Sequence, residues 1–115
     1  MLEKIYINEP GHTDLSIYRC GIEDCKAGHF WGPAVRDHYI IHYILGGKGI
    51  FTVDGTNYTL SKNDGFLICP DTIVYYRADS DQPWSYAWVG FHGLKATSYL
   101  KQSGLDNHNP IFRYN

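Results

Sequence analysis

The sequence predicts an all-β domain: a barrel of two packed sheets built from short antiparallel strands, with a pocket inside and a C-terminal α-helix after it. Three observations predict it. The stretch Arg36–Ala78 alternates short apolar runs with Gly/Asp/Asn clusters. Those runs are rich in Tyr, Ile and Val, which suit a pleated, half-buried surface. Asp54-Gly55 between two such runs is a hairpin signal, because Gly tolerates the positive φ of a tight primed turn.

The elements follow in order. Met1–Leu15 has little periodicity, with turn signals at Pro10-Gly11 and Thr13-Asp14, and reads as an arm lying on the barrel. Ser16–Cys25 alternates and reads as the first strand. Lys26–Val35 holds Gly28, Gly32 and Pro33 and reads as a loop, although Phe30 and Trp31 are too apolar for an idle one. Tyr39–Leu45 is a strand, broken at Gly46-Gly47-Lys48-Gly49. Ile50–Val53 and Asn57–Leu60 form the hairpin. Lys62-Asn63-Asp64-Gly65 turns the chain into Phe66–Ile68, and Val74–Arg77 follows. After the polar turn Asp79–Pro83, Trp84–Phe91 is the last clear strand. From Gly93 the pattern favours a helix, ended at Ser103-Gly104 by a glycine suited to the left-handed cap. Ile111-Phe112-Arg113 begins an apolar run that the sequence does not continue, which reads as the front part of a longer protein. The organisation expected is an arm over 1–15, a barrel over 16–92, and the start of a helical dimerisation or linker region over 93–115.

A chain of 115 residues is one domain. The aromatic fraction is high at 16%, with 10 Tyr and 3 Trp. Most of these are strand residues, but Tyr and Trp also line small-molecule and carbohydrate pockets, offering an apolar face and one polar atom. The net charge is −2 and no basic stretch stands out, which argues against direct nucleic-acid contact. Met1-Leu-Glu-Lys-Ile has no apolar signal region, and no apolar run reaches the length of a membrane span. Cys20, Cys25 and Cys69 fit no zinc spacing and are expected as free thiols in a reducing cytoplasm.

His38 and His42 lie four apart, on one face of a strand. They could hold a metal, line a polar pocket or sit on an open face. No carboxylate of matching parity stands near them. No Ser-His-Asp arrangement is suggested, and the Gly46–Gly49 cluster lies between strands rather than before a helix, so it is a turn and not a phosphate cradle. No catalytic residue is assigned.

The order of strands, Gly47, Gly55, the Asp64 turn and Pro70 resembles the two-motif frame of the cupin superfamily. That resemblance implies a double-stranded β-helix, or jelly-roll barrel. Counting from Gly47 puts the cupin metal-ligand positions near Ala34 and Arg36, at Ile40 and at Val74, so the ligands are lost and no metal or other cofactor is expected. A narrower resemblance is carried by GPAVRDHYIIHYILGGKG, NDGFLICPDTIVYY and PWSYAWVGFHG. These segments look like the N-terminal effector-binding domain of AraC/XylS-type transcription regulators, over about two thirds of the chain.

The resemblance implies a metal-free barrel that binds a sugar or similar effector, a helical dimerisation segment, and DNA contact only through a C-terminal helix-turn-helix domain absent from this sequence. It implies a cytoplasmic homodimer and no enzyme activity. Aligned on PWSYAWVGF, the sugar-stacking Trp of a sugar-responsive member falls on Trp88, and other pocket positions fall on Tyr86 and Tyr76. The parity of the strands adds Arg36 and His42 to the same inward face. A pyranose has an apolar C–H face for an indole and hydroxyls that need donors and acceptors, which Arg36, His42, Tyr76 and Tyr86 supply. Plain alternatives stand beside these: core packing for Trp88, and for Arg36 a surface ion pair with Asp37 or Asp79. Trp84 is expected to cap a barrel end. Two other readings of the whole chain are a small stand-alone cupin enzyme, which would need metal, and a structural dimerisation barrel, which would have a filled interior.

Overall fold

Two antiparallel sheets face each other in a computed structural model that describes residues 2–6, 16–92, 100, 102–106 and 108–113. The strands are β1 (Leu2–Tyr6), β2 (Ser16–Asp24), β3 (Phe30–Val35), β4 (Tyr39–Gly46), β5 (Lys48–Val53), β6 (Thr56–Ser61), β7 (Asp64–Ile68), β8 (Ile73–Ala78), β9 (Ser85–His92) and β10 (Ile111–Arg113). One sheet has the order β1-β2-β9-β4-β7-β10 and the other β3-β8-β5-β6. From β4 onward the chain repeatedly changes sheet, as a jelly roll requires.

Alternation decides which side chains enter the barrel. Ile40, His42 and Ile44 point inward from β4, Phe51 and Val53 from β5, and Val74, Tyr76 and Ala78 from β8. With Leu60, Phe66, Ile68, Trp84 and Tyr86 they form the main core. β7 is buried at every position, because its second face is covered too. There Leu67 and Phe91 pack with Leu100, flanked by Tyr39, Ile41 and Leu105, so the segment after β9 seals the outside of the larger sheet.

The β5–β6 hairpin turns as the sequence signal requires. Asp54 and Gly55 take φ of 53° and 75°, both positive, and Val53 pairs with Thr56. At Gly49 the demand is for space. A Cβ built there would lie 2.4 Å from the Trp84 ring and 2.6 Å from the Arg77 carbonyl oxygen. Neither neighbour can yield without moving backbone or the largest buried ring. Gly49→Ala is therefore expected to cost about 1–3 kcal/mol or more, the usual penalty of overpacking. Urea denaturation should show a lower midpoint with unchanged slope.

One reading of the sequence needs correction, and two others gain detail. Lys26–Val35 is not a loop throughout, since Phe30–Val35 forms edge strand β3 against β8, with a register shift between Trp31 and Ala34 around Gly32-Pro33. Pro is tolerated there because an edge strand has one side without ladder bonds. Within 1–15, Leu2–Tyr6 forms a strand paired with β2. Ile111–Arg113 does not run on unpartnered: it pairs with β7, and Phe112 lies across Gly65. Arg113 Nε donates to Asp64 Oδ1 at 2.7 Å, and the Ser61 amide donates to Asp64 Oδ2 at 2.9 Å. The expected C-terminal helix falls mainly on 93–99 and 101, outside the described residues; Leu100, Gln102 and Ser103 are helical in conformation. Trp84, expected to cap a barrel end, is 1% exposed and packs against Phe66 and the bare Cα of Gly49.

Candidate functional site

Strand register builds one polar lobe inside an otherwise apolar barrel. Across the larger sheet, Gly21 of β2, Trp88 of β9, His42 of β4 and Phe66 of β7 lie in one lateral row. Gly90 follows Trp88 by two residues on the same face. Trp88 thus has a glycine beside it and another above it, and no side chain stands at either position. From the opposite sheet, Tyr76 of β8 is paired between Trp31 of β3 and Phe51 of β5.

His42 is the hub. Its ring stacks on Phe66 at 4.5 Å and 5°, meets Tyr86 edge-on at 4.6 Å, and lies 5.0 Å from Tyr76. Burial, assisted by the positive charge of Arg36, pulls its pKa down to about 3, so it is a neutral imidazole at pH 7. Arg36 belongs to the β3–β4 connection rather than to the inward strand on which it was expected. Its guanidinium carbon sits 3.9 Å over the Trp31 ring, and Nη2 donates to the Tyr76 hydroxyl at 3.4 Å. Tyr76 in turn stacks on Trp31 at 5.6 Å.

Tyr86 donates its hydroxyl proton to Glu23 Oε2 at 3.0 Å. Burial raises the pKa of both tyrosines; for Tyr76 the Arg36 guanidinium opposes the rise. Both stay protonated at neutral pH, each able to donate and accept. Burial, then the Glu23 carboxylate, pushes the Cys25 thiol up to about 11. Arg36 Nε and His42 Nδ1 are buried without a hydrogen-bond partner among the described residues. Such groups are costly in an apolar interior unless something pairs with them.

The structure therefore gathers Arg36, His42, Tyr76 and Tyr86 into contact, with Trp88 beside His42 and partly buried against the core. His38 is buried too, but its Nδ1 pairs with the neighbouring Asp37 Oδ1 at 2.6 Å. Trp31 and Glu23 were missed. The register shifts between Trp31 and Ala34 and between Ile17 and Arg19 defeat parity counting on both strands. The only available signals were a Trp too apolar for a loop and a carboxylate two residues from a glycine on a strand. The former cupin metal positions carry no ligand atoms where it matters: Ile40 and Val74 are apolar core. A groove of about 620 Å³ lined by Pro33, Thr52, Asp54, Asp71, Thr72 and Tyr75 opens elsewhere on the surface and touches none of the five candidates.

Two antiparallel sheets packed face to face in this order make a jelly-roll barrel of the cupin type. The same fold is seen in YhaK from Escherichia coli (TM-score 0.73, 13% identity, all of this chain and 52% of that one). It recurs in the Cnp3 cupin domain of Schizosaccharomyces pombe (TM-score 0.62, 17% identity, 91% and 71%). Within that fold the chain belongs to the family of AraC-like ligand-binding domains, whose profile matches residues 16–114. It is similar to the Msm operon regulatory protein of Streptococcus mutans serotype c, 47% identical over 92 residues, 80% of this chain and 33% of that protein. The raffinose operon transcriptional regulatory protein RafR of Pediococcus pentosaceus is 41% identical over 88 residues, 74% of this chain and 32% of that protein. The lactose operon transcription activator of Staphylococcus xylosus is 30% identical over 96 residues, 83% and 34%. The chain spans about a third of the length of these relatives. No helix among the described residues is long and apolar enough to cross a membrane.

Proposed function

We propose that this domain senses an oligosaccharide and, within a cytoplasmic homodimeric transcription regulator, controls DNA binding by a C-terminal helix-turn-helix domain. The observation that carries this reading is the pair of buried, unpartnered atoms, Arg36 Nε and His42 Nδ1, placed among Tyr76, Tyr86 and the indoles of Trp31 and Trp88. Sugar hydroxyls would satisfy the polar atoms, and the Trp88 indole would take a sugar C–H face. Two of the similar proteins are named for raffinose and lactose operons. That favours an oligosaccharide over a monosaccharide. The arm over residues 1–15 is the proposed moving part, its contacts changing when the pocket fills.

The enzyme reading is weaker, because a metal-dependent cupin needs about three protein ligands at positions that here carry Ala34, Arg36, Ile40 and Val74. The test is a thermal-shift screen against raffinose, lactose and their monosaccharide units. A sugar at about a hundred times its Kd adds roughly 2.7 kcal/mol, which raises Tm by several degrees. The shift should vanish in Trp88→Ala and Arg36→Ala variants that still melt cooperatively. Silence across the panel, or a shift indifferent to both substitutions, would overturn the reading.

A further inference from the structure

Next to the pocket residue Tyr86, at the end of β2, Glu23, Cys25 and His29 bring an oxygen, a sulfur and a nitrogen within 4.8 Å of one another. We infer that these three residues form a binding site for a borderline transition-metal cation, Zn²⁺ foremost, with a solvent molecule completing a tetrahedral shell. The donor set fits that class. A thiolate and an imidazole select Zn²⁺ over Mg²⁺ or Ca²⁺, and three protein ligands with one open position is a recognised zinc arrangement.

The geometry is close to assembled. Bond lengths of about 2.0–2.3 Å give a tetrahedron with edges of about 3.3–3.8 Å. Glu23 Oε1 and His29 Nε2 already stand 3.9 Å apart, so closing the site takes about an ångström of side-chain movement. The backbone beneath is fixed. The Cys25 amide donates to the Trp84 carbonyl at 3.1 Å, the His29 amide closes a turn onto Lys26 at 2.9 Å, and the His29 carbonyl accepts from Ala78 at 2.8 Å. The His29 side chain is 47% exposed and that of Glu23 24%, which gives the ion a path in.

The carboxylate is oriented as a ligand should be. Its Oε2 accepts the Tyr86 hydroxyl proton while Oε1 faces His29. A hydrogen bond to the outer oxygen of a ligating carboxylate is the usual support for a metal site. Binding replaces the Cys25 S–H bond with an S–metal bond and releases that proton to solvent; no oxidant or reductant is needed. The ion would tie the end of β2 to the β2–β3 connection. Sequence spacing does not announce the site, because one strand residue, its i+2 neighbour and a residue from the following turn match no common zinc pattern.

The experiment is a titration of the tag-free full chain, with its thiols reduced, using Co²⁺ alone and then Zn²⁺ in competition. One equivalent of Co²⁺ is expected to produce a thiolate-to-cobalt charge-transfer band with d–d absorption of four-coordinate intensity, and Zn²⁺ should displace it. Cys25→Ser should abolish the band, whereas Cys20→Ser and Cys69→Ser should keep it. His29→Ala, a change at an exposed side chain that leaves the fold intact, should weaken Co²⁺ binding at least tenfold. Tyr86→Phe should weaken it by about 10–100-fold. No band in the unaltered chain, a band that survives Cys25→Ser, or an affinity unchanged in His29→Ala would each overturn the inference.

Discussion

Trp84→Ala is expected to lower stability by about 3–5 kcal/mol, the usual cost of truncating a large buried aromatic. That is a large share of the roughly 5–15 kcal/mol that holds a domain together. Trp84 is 1% exposed and first among the fully buried side chains by volume. Its ring stacks on Phe66 at 5.8 Å, meets Tyr86 edge-on at 6.1 Å, and rests on the bare Cα of Gly49. On the Gly49 side no side chain can swing into the space it leaves. Its backbone is fixed as well, since its carbonyl accepts from the Cys25 amide. The loss should appear as a fall in Tm of about 12–20 °C, followed by circular dichroism because the substitution removes a fluorophore. Trp84→Phe should recover a good part of the loss. A fall in Tm of only a few degrees in Trp84→Ala would mean that the Gly49–Trp84 packing is not what joins the sheets at this end.

The same contact shows what was legible in the sequence. Strands β4, β5 and β8 alternate cleanly and are divided by turn residues, so their faces follow from counting by two. That count placed Arg36, His42 and Tyr76 inward; the structure puts His42 and Tyr76 in the barrel and Arg36 on the β3–β4 connection, while Tyr86, also in the barrel, came from the family resemblance. What counting cannot see is a register shift. Trp31 enters the barrel only because β3 slips around Gly32-Pro33, and the face of Glu23 depends on a shift earlier in β2. Short strands are hidden for a different reason. Ile111–Arg113 has three residues and no alternation to read; its pairing is decided by a partner, Asp64, some fifty residues away. Likewise nothing local to Gly49 shows that its missing side chain is the seat of an indole.

Acid should unfold the domain over a window set by His42. The folded imidazole is held down to about 3 by burial and by the Arg36 charge, against about 6.5 in the unfolded chain. The unfolded state therefore binds the extra proton first. Stability from this residue is fully present above pH 6.5 and is lost as pH falls from there towards 3. At about 1.4 kcal/mol per pH unit, the domain should be weaker by roughly 3 kcal/mol at pH 4.5.

Asp64 acts in a lower window. Burial opposes its ionisation, but the Arg113 bond, the Ser61 amide and the Arg113 charge outweigh that and hold its carboxyl below the usual range. Its contribution is present above the unfolded carboxylate value, 3.8, and disappears only as pH falls further. The two groups are thus separable by urea denaturation at a series of pH values. His42→Gln should be less stable at pH 7 yet flatter between pH 6.5 and 4.5. An equal slope in the two proteins would show that His42 is not the group protonated. In the proposed sensing role the folded imidazole stays neutral down to about pH 3, offering a sugar one donor and one acceptor. Effector affinity of the folded domain should therefore be flat between pH 7 and 4.5.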